Sequence, residues 1–404
     1  MSVPLSSATL SSPSSPDTVT PLSRPATTRD TLLARARELA PRLRERAGRC
    51  ARERKVPEET IADYHDAGFL RLAQPRRYGG LEISWEVLCE ISQILAAADG
   101  SQAWIHRIMA DHAQMVSTFP AECQDEVWGE NTETLISAAF DPTGRAKRVD
   151  GGFRFSGRHR FASGIDHATW LICGGFIEDG ERLDGPHFFL LPKSQVTVLD
   201  DWDTIGLEGT GSHTFVVDDV FLPAHRFLDG EKARIGEGPG TAVNKAPVYR
   251  TPRGGVTSTG FAALSVGMAR GVLDEWLELT RPRKARGVAV AEQPGSLFAA
   301  AEASAGIAAA EALYTSTISG SMRRIEAGER LDDFDLLTAR RNVSYAVKLA
   351  VEAGTRLFSA SGASALFNNQ RLSQQYRNLV ASGAHFAVSW DAHGPNYARK
   401  LLAG

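Results

Sequence analysis

From Asp30 onward the apolar residues fall at helical spacing, with Leu32, Leu33, Ala36, Leu39 and Leu43 marking one face among many arginines. A second helix opens at Pro57-Glu58-Glu59-Thr60, with proline in the first turn where its missing N–H is not needed, and ends near Gly68. Gln74-Pro75-Arg76-Arg77-Tyr78-Gly79-Gly80 reads as a loop. Residues 84–97 and 100–118 are helical again, the second carrying Trp104, Ile105, Ile108, Met109 and His112. The period then changes. Phe153, Phe155 and Phe161 alternate with polar residues around Ser156-Gly157, as two strands with a turn would. Trp170-Leu171-Ile172-Cys173, His187-Phe188-Phe189-Leu190-Leu191 and the stretch from Thr214 to Pro223 are further strand segments. Helical spacing returns at about residue 256, with candidate helices at 257–280, 294–327, 332–360 and 369–388. The expected fold class is α+β: an N-terminal helical domain (30–135), a middle antiparallel β-domain (136–240) and a C-terminal four-helix bundle (241–404). Residues 1–29, dominated by Ser, Thr and Pro, are expected to form a disordered tail, since they carry too little apolar surface to offset the entropy of ordering.

Composition narrows the function classes. The 404 residues are 43% hydrophobic and 23% charged, which suffices for a large core without cross-links. The 45 basic and 48 acidic side chains leave a net charge of −3, which argues against a nucleic-acid partner. Cys50, Cys89, Cys123 and Cys173 show no CxxC spacing and read as buried, reduced thiols of a cytoplasmic protein. No uninterrupted apolar run approaches the ~18 residues that span a bilayer, and no secretory leader is evident, so no membrane association is expected. Dinucleotide, P-loop, nucleophile-elbow and HExxH motifs are absent, and the histidines show no paired helical spacing that would hold a metal.

Three blocks resemble the acyl-CoA dehydrogenase superfamily, in the same order: Ala67-Gly68-Phe69-Leu70 to Pro75–Gly80, Phe155-Ser156-Gly157 to Ala162-Ser163-Gly164, and Gly209-Thr210-Gly211-Ser212-His213-Thr214 to Asp219-Val220-Phe221-Leu222-Pro223. A dehydrogenase of this superfamily needs a carboxylate base for the substrate α-proton. Neither Thr257–Leu273 nor the late segment Gln375–Phe386 contains Asp or Glu. Further blocks, among them Ser163-Gly164-Ile165-Asp166-His167, Gly206–Ser212, Ala246-Pro247-Val248-Tyr249 and Ser361-Gly362-Ala363-Ser364-Ala365-Leu366, resemble a different branch with this fold. These are the oxygenase components of two-component flavin-dependent monooxygenases, nearest to hydroxylases of the phenolic ring of opened steroids and to phenol and indole oxygenases.

That resemblance implies a reduced flavin (FADH2 or FMNH2), O2 as cosubstrate, and transfer of one oxygen atom to an aromatic substrate through a flavin C4a-hydroperoxide. It implies a separate NAD(P)H-dependent flavin reductase and a homo-oligomer, dimer or tetramer. Residue by residue, His385 matches the active-site histidine, a base that would deprotonate a phenol, or a group that would hold the indole or hydroxyl, with an imidazole near its ordinary pKa. Without the resemblance it reads as a core histidine on a bundle helix. Ser163 matches the position beside flavin N5 and C4a; without the resemblance it is a turn serine before Gly164. Trp104, Ala138, Ala139, Phe140, Phe161, Ala162 and Phe386 match positions along the flavin, and Ala363 and Ser364 a loop that contacts it. Arg283 matches a basic residue that reaches flavin phosphate, often from a neighbouring subunit. The steroid-type relatives carry a second His and an Arg where this chain has Val380 and Gly383, so the steroid substrate is not carried over. An acyl-CoA dehydrogenase or oxidase, an N-oxygenase of an amino sugar or other amine, and a non-catalytic scaffold remain alternatives.

Overall fold

The structure, a computed structural model, describes residues 27–403; nearly all of the segment expected to be a disordered tail lies outside the described residues. Five helices come first: α1 (Arg29–Glu53), α2 (Glu58–Ala67), α3 (Trp85–Ala98), α4 (Gly100–Val116) and α5 (Ala121–Trp128). Asp99, in extended conformation, ends α3, and its side chain accepts from the Gln102 amide at 2.9 Å to start α4. One residue therefore sets the angle between two core helices.

All 17 residues of α4 are buried. A helix enclosed on every side is expected to be apolar all round, but this one carries Gln102, His106, Arg107, Asp111, His112 and Gln114. Most of these polar groups are satisfied from outside the helix: Gln102 Nε2 donates to the Leu43 carbonyl (2.9 Å), His112 Nδ1 pairs with the Ile136 carbonyl (2.7 Å) and Gln114 Nε2 donates to the Val248 carbonyl (3.1 Å). These bonds tie α4 to the first helix, to the sheet and to the segment that leads into the bundle.

The middle region is a seven-stranded sheet in the order β5-β6-β2-β1-β3-β4-β7. Its strands are β1 (Ile136–Val149), β2 (Gly152–Ala162), β3 (Trp170–Asp179), β4 (Arg182–Pro192), β5 (Thr197–Leu199), β6 (His213–Pro223) and β7 (Phe227–Leu228). All pairs are antiparallel except β1 with β3, which is parallel. The reason is local. After the β1–β2 hairpin the chain is back beside the start of β1, where Ser137 Oγ donates to the Ser163 carbonyl (2.8 Å). The short link 163–169 then enters β3 opposite Ile136, which pairs with Trp170. Ser156-Gly157 makes no turn: β2 runs through it, and the register against β6 shifts between Phe155 and Gly157, where β6 carries the extra residue.

A short helix, α6 (Gly230–Ile235), leads to α7 (Thr259–Thr280), the hairpin β8 (Lys284–Ala285) and β9 (Val288–Ala289), α8 (Pro294–Glu326), α9 (Asp333–Ser359), α10 (Arg371–Gly383) and α11 (Trp390–Leu402). Helices α7 to α10 form the bundle, and α11 packs on α9. The last candidate helix stops at Gly383, short of 388. There His385 Nδ1 accepts from the Ala387 amide (3.2 Å), and Ser389 Oγ accepts from Ala392 (3.4 Å) to start α11. By length and mean hydropathy (1.2), Val256–Thr280 and Pro294–Glu326 could each cross a membrane, which counting uninterrupted apolar runs did not anticipate, because a mean tolerates interrupting polar residues. The first is 89% buried against its neighbours, the second 28%.

Burial decides the protonation of α4. His106 stands between Tyr64 and Phe69 (ring centroids 5.6 and 5.5 Å), with no hydrogen-bond partner on either nitrogen among the described residues. Desolvation, helped by the neighbouring Arg107 cation, pushes its pKa down to about 3. The unfolded chain takes up this proton below pH ~6.5, whereas the folded chain refuses it, so stability present at neutral pH is lost as pH falls. His106→Leu should match or exceed the parent's stability at pH 7. Its unfolding free energy should fall less steeply between pH 6 and 4, by up to ~1.4 kcal/mol per pH unit. Urea unfolding at a series of pH values measures this; parallel curves for the two proteins would show that His106 is not the group responsible.

Candidate active site

The sequence candidates collect in two places. The first lies where α4, the end of β2, the start of α7 and the α10–α11 turn meet. Gly164, at φ +70°, lets the Ser163 turn close onto α4; a Cβ there would come within 2.5 Å of Met109 Cε. Ser163 is half-buried, with its hydroxyl 2.6 Å from that of Ser212. Phe161 sits at φ +65°, in the left-handed region where non-glycine residues are strained, and leaves 56% of its surface exposed. Strands β1 and β2 pair only from Arg145–Val149 to Gly152–Ser156; beyond that they are bridged by side chains, with Thr143 Oγ1 donating to the Arg158 carbonyl (2.8 Å).

Ala138 and Ala139 are buried on opposite faces of β1, the first with Trp128 and Met115, the second with Phe155 and Phe215. Ala162 is fully buried in that second cluster. These alanines therefore do not present side chains to one common surface, and a ligand along this stretch would meet backbone. Phe140 is half-buried against His112 and Phe188.

Trp104, Phe261 and His385 form an aromatic cluster. The His385 ring stacks on Phe261 (centroids 4.4 Å, 28° between planes) and meets Trp104 edge-on (5.6 Å, 61°). His385 keeps exposed surface, although the protein around its ring desolvates it. Desolvation and the Arg107 cation push its pKa down to about 4, with Asp111 opposing. The imidazole is thus neutral across the physiological range and is not near its ordinary pKa, contrary to expectation. Because Nδ1 accepts from the Ala387 amide, the neutral ring carries its proton on Nε2. Phe386 is 73% exposed beside it.

Sequence reading missed what stands behind this cluster. Arg107 donates to Asp111 (3.0 Å) and to the Thr257 carbonyl (2.6 Å), and its guanidinium lies 4.0 Å from the Phe261 ring centre. Arg253 donates to both oxygens of Asp111 (2.7 and 3.0 Å) and lies over Phe140 (4.8 Å). Burial alone would raise the Asp111 pKa; Arg253 and Arg107 hold it well below the usual carboxylate range. The one available signal was the spacing of Arg107 and Asp111 at i, i+4 within the helix expected over 100–118.

The second place is on the bundle. Arg283, between α7 and β8, donates to the Ser361 carbonyl beside Gly362, and Ala363 and Ser364 are exposed on the following turn. This group shares no hydrogen bond or aromatic contact with the first among the described residues. A groove of about 910 Å³ between α8 and α9, lined by Phe298, Glu302, Leu349 and Arg356, contains none of the candidates.

An exposed aromatic ring, a half-buried hydroxyl and a run of backbone side by side fit a flat, largely apolar ring system with polar atoms at its middle and edge. The fold is that of the acyl-CoA dehydrogenases: their N-terminal domain matches residues 27–130 and their C-terminal domain residues 259–390. The oxygenase subunit HsaA of a flavin-dependent monooxygenase from Mycobacterium tuberculosis is 36% identical over 361 residues, 88% of this chain and 91% of the relative. Its crystal structure superposes with a TM-score of 0.88 at 33% identity, covering 93% of this chain and 97% of that one. The oxygenase component of an FADH2-dependent resorcinol hydroxylase from a Rhizobium species is 30% identical, covering 92% and 94%. The chain belongs to the oxygenase components of two-component flavin-dependent monooxygenases.

Asp111→Asn would leave the buried Arg107 and the half-buried Arg253 without a counter-charge. It should cost about 3–5 kcal/mol of stability, read by urea unfolding. A loss under ~1 kcal/mol, the range of an exposed pair, would mean the ion group is not buried as described.

Proposed function

We propose that this protein hydroxylates an aromatic small molecule of the phenol or indole type, using reduced flavin delivered by a separate NAD(P)H-dependent flavin reductase. The observation that carries this reading is the state of Asp111. It is the carboxylate that acts on His385, and two arginines clamp it and hold it ionised, so it is unavailable as a base for a substrate carbon acid. An acyl-CoA dehydrogenase would need such a base. The recess offers instead aromatic walls and a neutral imidazole, suited to an electron-rich ring.

When bound, the reduced flavin supplies the activation of O2 and the oxygen atom transferred. Ser163 and the Phe161 ring support it on the sheet side; Trp104 and Phe261 exclude water. His385 Nε2–H donates to the oxygen of a phenolic substrate and stabilises its anion, the phenolic proton passing to solvent as the substrate binds. This differs from proton abstraction by a free imidazole but raises the ring's electron density in the same sense. Arg283, Ala363 and Ser364 would serve the flavin of a neighbouring copy in a homo-oligomer, since they stand apart from Ser163 in their own chain. The buried, unpaired thiols of all four cysteines support a cytoplasmic location.

The test supplies a flavin reductase, NADH and isotopically labelled dioxygen with a panel of phenols and indoles. Label in a hydroxylated product is expected; peroxide alone with every substrate would sink the reading. For His385, a donor role predicts that His385→Gln keeps activity within about tenfold while His385→Ala loses about a hundredfold or more. With a pKa near 4, the rate should show no histidine inflection between pH 5 and 8. Equal losses in the two variants, with an inflection near pH 6.5 in the parent, would restore the base.

A further inference from the structure

Three hydroxyls line up behind the Ser163 turn. Thr210 Oγ1 is 2.8 Å from the Leu207 carbonyl oxygen, Ser212 Oγ is 2.6 Å from Thr210 Oγ1, and Ser163 Oγ is 2.6 Å from Ser212 Oγ. Each hydroxyl has a single proton to donate. A carbonyl can only accept, so the Thr210 proton is committed to Leu207. Thr210 can then only accept from Ser212, and Ser212 only from Ser163. Thr210 and Ser212 are buried, while Ser163 is half-buried and ends the row. The direction of all three bonds is set from the inner end, and Ser163 turns lone pairs, not its proton, toward the recess.

We infer that Thr210 and Ser212 are positioning residues that make Ser163 an acceptor-only group and thereby select the reduced over the oxidised flavin. The inference rests on the reading above in which Ser163 lies beside flavin N5. In reduced flavin N5 carries a hydrogen and donates; in oxidised flavin N5 carries a lone pair and accepts. An acceptor-only Ser163 pairs with the first and opposes the second lone pair to lone pair. For Ser163 to donate outward, its bond to Ser212 must break, leaving the buried Ser212 oxygen without its donor. An oxygenase fed by a separate reductase gains from this asymmetry: the arriving reduced cofactor is retained and the spent oxidised form is released, with no movement of the chain.

The test measures dissociation constants of the full-length protein for FAD and FMN, oxidised in air and dithionite-reduced under anaerobic conditions. The parent should bind the reduced form more tightly. Ser212→Ala frees the Ser163 proton, so its affinity for oxidised flavin should rise about tenfold while that for reduced flavin changes less than about threefold. Thr210→Val removes the inner acceptor, releases the same constraint by a different route and should move the ratio in the same direction; it decides the matter should Ser212→Ala not fold. A packing role would weaken both redox forms together, and that result overturns the inference while leaving the flavin reading intact. Failure of the parent to bind either form would overturn the flavin reading and the inference with it.

Discussion

The site depends on one buried ion group, Arg107–Asp111–Arg253. Two cations and one anion are taken out of water in the middle of α4, and such a group is tolerable only when every partner is present. What it provides is position. Arg253 reaches Asp111 from the segment before α7 and covers Phe140 on β1; Arg107 holds the Thr257 carbonyl and lies on Phe261, which in turn stacks on His385. Sheet, central helix, bundle and the α10–α11 turn are thus joined through a single carboxylate. Burial, and after it the same Arg107 charge, holds the His385 imidazole neutral. Arg107 thus bears on both the placement and the charge state of the histidine.

Helical and strand periods exposed the three-part architecture because most elements have one apolar face, and that face is what a period reports. Trp104 was legible in this way, and the order of the motif blocks pointed to the fold and to Ser163 and His385. The failures share a cause: they concern what elements do to one another. The parallel β1–β3 pair follows from where the Ser163 link crosses, which no strand pattern encodes. His385 was taken to lie on a helix because Arg371 to Val388 keeps a helical period; the His385 and Ser389 caps that break it are side-chain bonds within the segment. Arg107 and Asp111 look like a solvated i, i+4 pair, and only the tertiary enclosure of α4 makes them the keystone. The histidine's pKa was out of reach for the same reason, since it is set by burial and by a charge from another element.

Asp111 also separates this chain from the dehydrogenases that share its fold. Both chemistries need a flat ring system held against the sheet and a recess closed by α4 and the bundle. A dehydrogenase adds a carboxylate free to take a proton from carbon. Here the carboxylate near the recess is used up in binding two arginines, while Thr257–Leu273 and Gln375–Phe386 contribute none. The groups left facing the recess are a hydroxyl whose proton is turned inward and an imidazole whose proton is turned outward. One accepts and the other donates, and neither is placed to remove a proton from carbon. An accepting group on one side and a donating group on the other match a cofactor that presents N–H and a substrate that presents oxygen, an assignment of polarity that requires no ionised side chain in contact with either.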